Sequence, residues 1–593
     1  MAAGSLRPSA FLSAIQSHDP DSIAVVHSIS GRQFTYGALL HDIVAAKQKV
    51  LSAIGRKENE LAGERVAFLV ENSYDYVVTL LMLMASDAIA VPLAPAFPAE
   101  EMRYQINQSG ALALLYSDKF AKIGAAVLQQ GLDNNPTGVK LDKLMPRETQ
   151  PAEQIKFLSS SEEALGGMML YTSGTTAKPK GVLLPQSALE AQSKSLAEAW
   201  NYSPKDRLLH VLPLHHIHGT VNALLTPLLA GSTIEFMFPF NVDKVWSRLS
   251  TPFLPSSPEQ QQQHQQQPIT FFTVVPTIWS RMLQTADKLP EESRKAAFEA
   301  IQRKHLRLNI SGSAALPTPT KAAWTELSQG NILLERYGMT EVGMALSCGL
   351  SDSDRVDGSV GWPLPSVQAR LVNTDTGDII PETSLGEEHA GEIQLHGPTI
   401  FKEYFQNPEA TKKEFTEDGW FKTGDIAFRQ NVDGAGSGAS GAWATGPAWF
   451  IQGRKSADII KTGGEKISAL EIERQLLSLP EVSECAVVGL PSEAWGQKAA
   501  AIVVLTEQGK TAGKGGKQWS ALDMRRALKE RLAAYKIPQD MEVVQELPRN
   551  AMGKINKKDL ISKVFGDPTK IRRRSIEVKE QREAAKNQSG AQS

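Results

Sequence analysis

The sequence predicts an α/β protein with a large N-terminal domain of packed α/β subdomains and a small α+β C-terminal domain. Three observations carry that expectation. Short apolar strands alternate with amphipathic helices through most of the chain. At 593 residues the chain is too long for a single hydrophobic core. A break in composition at Gly453-Arg-Lys-Ser456 separates this long stretch from a compact mixed pattern.

Residues 23–27 predict the first strand. After Thr35, the apolar positions Leu39, Leu40, Ile43, Val44, Val50, Leu51 and Ile54 recur at helical spacing. Residues 65–70 predict a strand, and Ser73 then caps a helix whose inner face holds Tyr76, Val77, Leu80, Leu81 and Met84. A short buried strand over 89–91 is closed by Pro92 and Pro95. The rhythm continues with strands at 111–116, 168–170 and 182–184, a helix over 186–200 and a strand at 207–212 that ends in the turn Pro213-Leu-His-His-Ile-His-Gly219. Residues 252–268, with seven glutamines around His264, read as an exposed insertion. Residues 431–446 are rich in Gly, Ala and Ser. They run into the apolar residues 449–451 with no following helix, which favours a lengthened hairpin loop over a dinucleotide-binding loop. Beyond the break, residues 469–477, 486–489, 500–505, 520–532 and 542–544 supply the second domain. The expected division is 1–453, 454–566 and a basic, polar tail over 567–593.

Composition excludes several classes of function. The 63 Lys and Arg residues are balanced by 65 Asp and Glu, so no electrostatic case exists for binding nucleic acid. The two cysteines, Cys348 and Cys485, are far apart and argue against a disulfide framework or a cysteine zinc site. No run approaches the ~18–20 apolar residues that span a bilayer. Residues 1–18 lack the apolar core of a signal peptide and the arginines of a presequence. Cytosol is therefore the expected compartment, with the mitochondrion as the alternative.

The chemistry is expected in six glycine-containing polar segments. The first, Tyr171 to Gly181, lies between two predicted strands. Gly174 and Gly181 let the backbone bend and approach a ligand, Thr172, Ser173, Thr175 and Thr176 offer hydroxyls, and Lys178 and Lys180 offer charge. This is the composition of a phosphate cradle, with a solvated turn as the plain alternative. It is not a Walker A loop, because no Gly-Lys-Ser/Thr closes it. The others are Ser311-Gly-Ser-Ala-Ala315 after a strand at 306–310, Glu335-Arg-Tyr-Gly-Met-Thr-Glu341 after 332–334, Trp420-Phe-Lys-Thr-Gly-Asp425, Lys461-Thr-Gly-Gly-Glu-Lys466 and Pro548-Arg-Asn-Ala-Met-Gly-Lys-Ile555. Loops at strand ends of α/β sheets are where ligands bind.

Taken together, the first loop, Tyr337-Gly-Met-Thr-Glu341, Thr423-Gly-Asp425, Gly453-Arg454 and the late Gly553-Lys554 resemble the signature motifs of the adenylate-forming superfamily over roughly residues 10–564. The resemblance implies a mobile C-terminal domain and a two-step reaction. A carboxylate attacks the α-phosphate of ATP and releases pyrophosphate, and a thiol then displaces AMP from the acyl-adenylate. It implies that the first loop holds the β- and γ-phosphates, that Glu341 holds Mg²⁺ and that Thr340 donates to the α-phosphate. Asp425 would accept from the ribose hydroxyls with Arg454 assisting. Glu335, Tyr337, Gly338, Ser313 and Ala314 would border the nucleotide. Lys554 would bridge the substrate carboxylate and the α-phosphate, Arg454-Lys455-Ser456 would be the hinge, and Gly463-Gly464 would leave room for the pantetheine arm of coenzyme A.

Within that superfamily, the segments 335–347, 458–464 and 276–281 are similar to those of malonyl-CoA synthetases. Malonate, with methylmalonate as a second substrate, is the acid this implies. A short dicarboxylate brings a second carboxylate into the acyl pocket, and burying it unpaired costs several kcal/mol, so the pocket needs a cation. Arg281 is the candidate, with His218 and the Ser311-Gly312-Ser313 edge as supporting donors, while the other histidines of the 210–218 region are expected to be structural. The alternatives are a short- or medium-chain monocarboxylate ligase and an adenylation module that loads a carrier protein. No obligate protein partner is implied.

Overall fold

The computed structural model describes residues 5–57, 59–146, 156–157, 164–172, 178–255, 267–463, 465–493, 495–549 and 555–566. Among these residues two large sheets dominate. A nine-stranded sheet runs in the order Trp362–Pro363, Gly343–Ser347, Leu334–Met339, Leu308–Ser311, Phe271–Val274, Arg207–His210, Thr233–Phe236, Ile23–His27 and Gln33–Thr35. Its centre is parallel from Leu334–Met339 to Ile23–His27. A seven-stranded sheet carries the hairpin Gly167–Thr172 and Lys180–Pro185 beside Ile89–Pro92, Arg65–Leu69, Ala113–Ser117 and Thr137–Leu141. Parallel strands covered on both faces are apolar along their whole length, and Phe271–Val274 is buried at every position.

The helix Tyr74–Ala85 differs from its expected amphipathic form. Ser73 caps it by accepting from the Asp75 amide, as expected, but every residue except Asp75 is buried. Leu80, Leu81 and Leu83 pack into the same apolar core as Val25, Phe68 and Leu184, which come from both large sheets, so no face of the helix meets water. A polar requirement survives inside the nine-stranded sheet. Glu235 is fully buried and held by Arg207 at 3.0 Å, Arg248 at 2.6 Å and the Ser28 hydroxyl at 2.8 Å. Without those partners a buried carboxylate would be strongly destabilising.

A five-stranded antiparallel sheet follows, ending in Phe421–Gln430 and Ala448–Arg454. These two strands pair directly, so the Gly-rich stretch between them is the loop of a long hairpin. It is tied down by Asp354, which accepts from the Gly436 amide and the Ser440 hydroxyl. The next strand, Ile459–Thr462, belongs to a separate sheet with Glu465–Ser468, Val482–Ser492, Gly496–Leu505 and Asp540–Val543. Helices Ala469–Leu477 and Ala521–Leu528 cover it around its own core of Ile467, Ile472, Val487, Val503 and Met524. The second helix starts with a reciprocal Ser520–Asp523 capping box. Of the glutamine-rich insertion, residues 256–266 lie outside the described residues, as does the tail from 567.

Two of the expected loops are in fact strands. Glu335 to Gly338 lie in Leu334–Met339, which pairs with Gly343–Ser347, and Thr423 to Asp425 lie inside Phe421–Gln430. Glycines and hydroxyls mask strand periodicity in such segments, but ladder pairing overrides the weak local preference.

Candidate active site

Three neighbouring parallel strands end at one corner. Phe271–Val274 supplies Thr273, Leu308–Ser311 leads into Gly312 and Ser313, and Leu334–Met339 supplies Arg336. His218, at the start of the π-helical segment His218–Leu225, completes it. Its Nε2 lies 2.7 Å from Thr273 Oγ1 and its Nδ1 lies 3.3 Å from Ser313 Oγ. Arg336 Nη2 donates to the same Ser313 Oγ at 3.1 Å. One assignment satisfies all three contacts: Arg336 donates to Ser313, the Ser313 hydroxyl donates to Nδ1, and Nε2–H donates to Thr273. Burial, reinforced by the nearby Arg336 charge, holds His218 well below the usual imidazole range, so it is neutral in this network.

Arg336 is the unusual group. It is 4% exposed, burial depresses its guanidinium to about 9, and Nε has no hydrogen-bond partner among the described residues. A Cβ on Gly312 would lie 2.4 Å from that Nε, so only glycine lets the guanidinium lie there. Ser313 to Ala315 are exposed, opening the corner to solvent. Ser311 is buried, its hydroxyl without a partner among the described residues. Sequence reasoning missed Arg336 and Thr273. The available signal was a strand, Glu335-Arg336-Tyr337, with ionisable residues on both faces.

Arg281 is not brought into this corner. It is exposed on the helix Pro276–Ala286, and among the described residues its side chain makes no hydrogen bond or ion pair. Glu335 also departs from its expected place beside the nucleotide, because its carboxylate is buried against Lys321 Nζ at 2.8 Å. His210 Nε2–H donates to the Gly219 carbonyl at 3.0 Å from a fully buried position, as a structural histidine does. His215 meets Phe97 edge-on and His216 at a tilt, and both histidines line a cleft with Glu101, Gln105 and Tyr171.

A second cluster lies farther along the same strand and hairpin. The Tyr337 phenol donates to Asp425 Oδ2 at 2.6 Å, and Arg454 Nε donates to Asp425 Oδ1 at 3.1 Å. Asp425 and Arg454 face each other across paired strands, which fixes their distance. Gly338 passes so close to the opposite strand that a Cβ would sit 2.0 Å from the Gly343 carbonyl. Thr340 and Glu341 occupy the hairpin turn that follows. Glu341 Oε1 accepts from the Tyr404 phenol at 2.9 Å, and Lys180 Nζ sits 3.7 Å from the centre of the Tyr404 ring. Tyr404 is a further residue that sequence patterning left unmarked.

Thr172 pairs with Lys180 at the end of the first hairpin. A cavity of about 220 Å³ beside it is lined by Tyr104, Gln108, Lys178, Lys180, Phe405 and Asn407. Ser173, Gly174, Thr175 and Thr176 lie outside the described residues, as do Gly464 and Lys554. Gly463 is the turn between Ile459–Thr462 and Glu465–Ser468, with φ +58°. Its amide donates to the Trp495 carbonyl at 2.9 Å, and a Cβ would lie 2.7 Å from the half-exposed Trp495 ring. Among the described residues no three His, Cys, Asp or Glu side chains cluster to hold a metal ion. No helix among them is long and apolar enough to cross a membrane.

Residues 13–405 match the family model described as AMP-binding enzyme, and residues 471–554 match the AMP-binding enzyme C-terminal domain. A CoA ligase of Gibberella moniliformis is 58% identical, with 99% of each chain covered. The mitochondrial malonate–CoA ligase ACSF3 of Homo sapiens is 38% identical over 91% of this chain and 90% of its own. Among solved structures, ATP-bound MatB from Rhodopseudomonas palustris superposes with a TM-score of 0.74 at 29% identity, covering 94% of this chain and 99% of that one.

Proposed function

The chain belongs to the AMP-binding enzyme family, and from that premise we propose that it is an AMP-forming acid–thiol ligase that converts malonate, ATP and coenzyme A to malonyl-CoA. One malonate carboxylate oxygen attacks the α-phosphorus and pyrophosphate leaves. The coenzyme A sulfur then attacks the acyl carbon of malonyl-adenylate and AMP leaves with the bonding pair.

The observation that carries the choice of acid is Arg336. A buried guanidinium whose Nε–H has no acceptor among the described residues, beside a neutral histidine and an exposed serine hydroxyl, is a seat for an anion. The second carboxylate of malonate supplies that anion, while acetate or a long-chain acid would leave the cation unpaired. The 38% identity to a malonate–CoA ligase supports the same reading. Arg281 would then act from the exposed face of its helix as a second, outer cation. Its exposure would favour a monocarboxylate ligase if it were the site's sole cation, and Arg336 removes that argument. Methylmalonate is proposed as a second substrate, since one methyl changes binding by only ~1–3 kcal/mol.

The remaining roles follow from position. Asp425, oriented by Tyr337 and Arg454, would accept from the ribose hydroxyls. Thr172, Lys178 and Lys180, with Ser173 to Thr176, would hold the outer phosphates, and Thr340 the α-phosphate. Mg²⁺ keeps mostly oxygen ligands and shares substrate phosphates, so a single oriented carboxylate suffices, and Glu341, held by the Tyr404 phenol, fits that description. When bound, the ion would neutralise phosphate charge. Lys554 would bridge carboxylate and α-phosphate, and Gly463-Gly464 would admit the pantetheine thiol. We place the start of the mobile C-terminal unit at Arg454. The cytosol is the proposed compartment, against the mitochondrion named for the human relative, and imaging a C-terminally tagged full chain decides between them. The function itself is tested by malonate-dependent ATP–pyrophosphate exchange. Exchange that needs malonate supports the reading, and exchange that is indifferent to malonate overturns it.

A further inference from the structure

Lys557 opens the helix Lys557–Val564 and lies three residues after Lys554 in the chain. Its Nζ is 2.6 Å from Asp458 Oδ1 and 2.7 Å from Glu473 Oε1, and all three side chains are nearly buried. Asp458 closes the turn after the strand Ala448–Arg454, where its Oδ2 accepts from the Arg454 amide at 3.0 Å. That turn is tight, because a Cβ on Gly453 would lie 2.4 Å from Asp458 Cβ. Glu473 stands on the helix Ala469–Leu477, and its Oε1 also accepts from the Val487 amide at 2.7 Å. One ammonium therefore joins the turn at the domain boundary, a sheet-covering helix and the start of the helix Lys557–Val564.

The Lys557 cluster differs from the exposed pairs Lys466–Asp375 and Lys510–Glu507, which water and salt screen. Removing Lys557 would leave two carboxylates close together in a largely dry site, where one would take up a proton, and would release the start of the helix Lys557–Val564 from the turn.

We propose that Lys557 is a positioning residue for the adenylation half-reaction: it fastens the start of the helix Lys557–Val564, three residues after Lys554 in the chain, to the Arg454–Asp458 turn. The proposal rests on the role given above to Lys554. It predicts a selective defect, because a small misplacement of a bridging lysine is costly for the step that uses it and irrelevant to the thiol step.

The test uses the full-length protein. Malonate-dependent ATP–pyrophosphate exchange reads adenylation, and conversion of supplied malonyl-adenylate with coenzyme A reads the second step. Lys557→Met should lower adenylation on the order of 10²-fold and leave the second step near the parent rate. Lys557→Arg should recover most of the loss, since a guanidinium also bridges two carboxylates. An equal fall in both steps, or unchanged adenylation in Lys557→Met, overturns the proposal. If Lys557→Met fails to fold, Glu473→Gln keeps the Asp458 pair and an acceptor for Val487. It should show a smaller loss confined to adenylation, and an equal loss in both steps again overturns the proposal. Lys554→Ala is measured alongside. If it adenylates normally, the role given to Lys554 fails and this inference with it. If it does not and Lys557→Met does, only the present inference fails.

Discussion

Arg336 and Ser313 meet at 3.1 Å, and that contact is the only hydrogen bond a buried guanidinium makes among the described residues. Truncating one partner of a buried charge pair costs about 2–5 kcal/mol. Arg336→Met should therefore lower kcat/KM for malonate by that amount while leaving KM for ATP within a few-fold. Arg281→Ala, at an exposed position, should cost far less. Steady-state kinetics with both variants decides the matter, and the opposite ranking would assign the second carboxylate to Arg281.

Glu341 is oriented by Tyr404 through a hydrogen bond of 2.9 Å. Groups that orient a metal ligand typically change metal affinity or activity about 10–100-fold when removed. Tyr404→Phe should raise the Mg²⁺ concentration for half-maximal pyrophosphate release by about tenfold at saturating ATP, with little effect on malonate KM. An unchanged Mg²⁺ titration would detach Tyr404 from this role.

Buried histidines make the fold sensitive to acid. Burial lowers His210 from 6.5 to about 4, so between those values the unfolded chain binds a proton there and the native chain does not. Stability attached to this group is thus present above pH 6.5 and lost as pH falls toward 4, at about 1.4 kcal/mol per pH unit. His27 and His215 are lowered to about 4 in the same way. His210→Gln keeps a donor for the Gly219 carbonyl and removes the titration. Chemical denaturation from pH 4 to 6.5 should show a slope shallower by about one proton in the variant, and an identical slope would contradict the assignment.

Gly463 has no room for a side chain beneath Trp495. Gly463→Ala must move the ring or the turn, whose φ of +58° already disfavours an L-residue. The thiol step should slow more than adenylation, as read by single-turnover conversion of malonyl-adenylate with coenzyme A. Equal slowing of both steps would point to a folding defect.

The alternation of strands and helices, the Ser73 cap, the first hairpin and the hairpin around the Gly-rich loop were all legible in the residues. So were the motifs that converge on Asp425 and Glu341. What stayed hidden depends on three-dimensional neighbours. The helix Tyr74–Ala85 looked one-sided because periodicity cannot report a second sheet on its other face. Arg336 looked like one more polar residue of a loop, because its burial depends on Gly312, just past the adjacent strand, leaving space for it. Glu335 looked like a ligand until Lys321, fourteen residues earlier on a helix, took its carboxylate. Arg281 drew attention as the cation of a segment that resembles malonyl-CoA synthetases, and exposure is what an amphipathic helix gives its polar face.

The central claim is that this chain forms a coenzyme A thioester from a short dicarboxylate through an adenylate. The most direct measurement supplies acetate, propionate, malonate, methylmalonate and succinate separately, with ATP, Mg²⁺ and coenzyme A, and follows pyrophosphate, AMP and thioester together. The account predicts malonyl-CoA as the dominant product with one AMP and one pyrophosphate per thioester, methylmalonate next, and acetate and propionate far behind. Equal or faster thioester formation from acetate or propionate would contradict it.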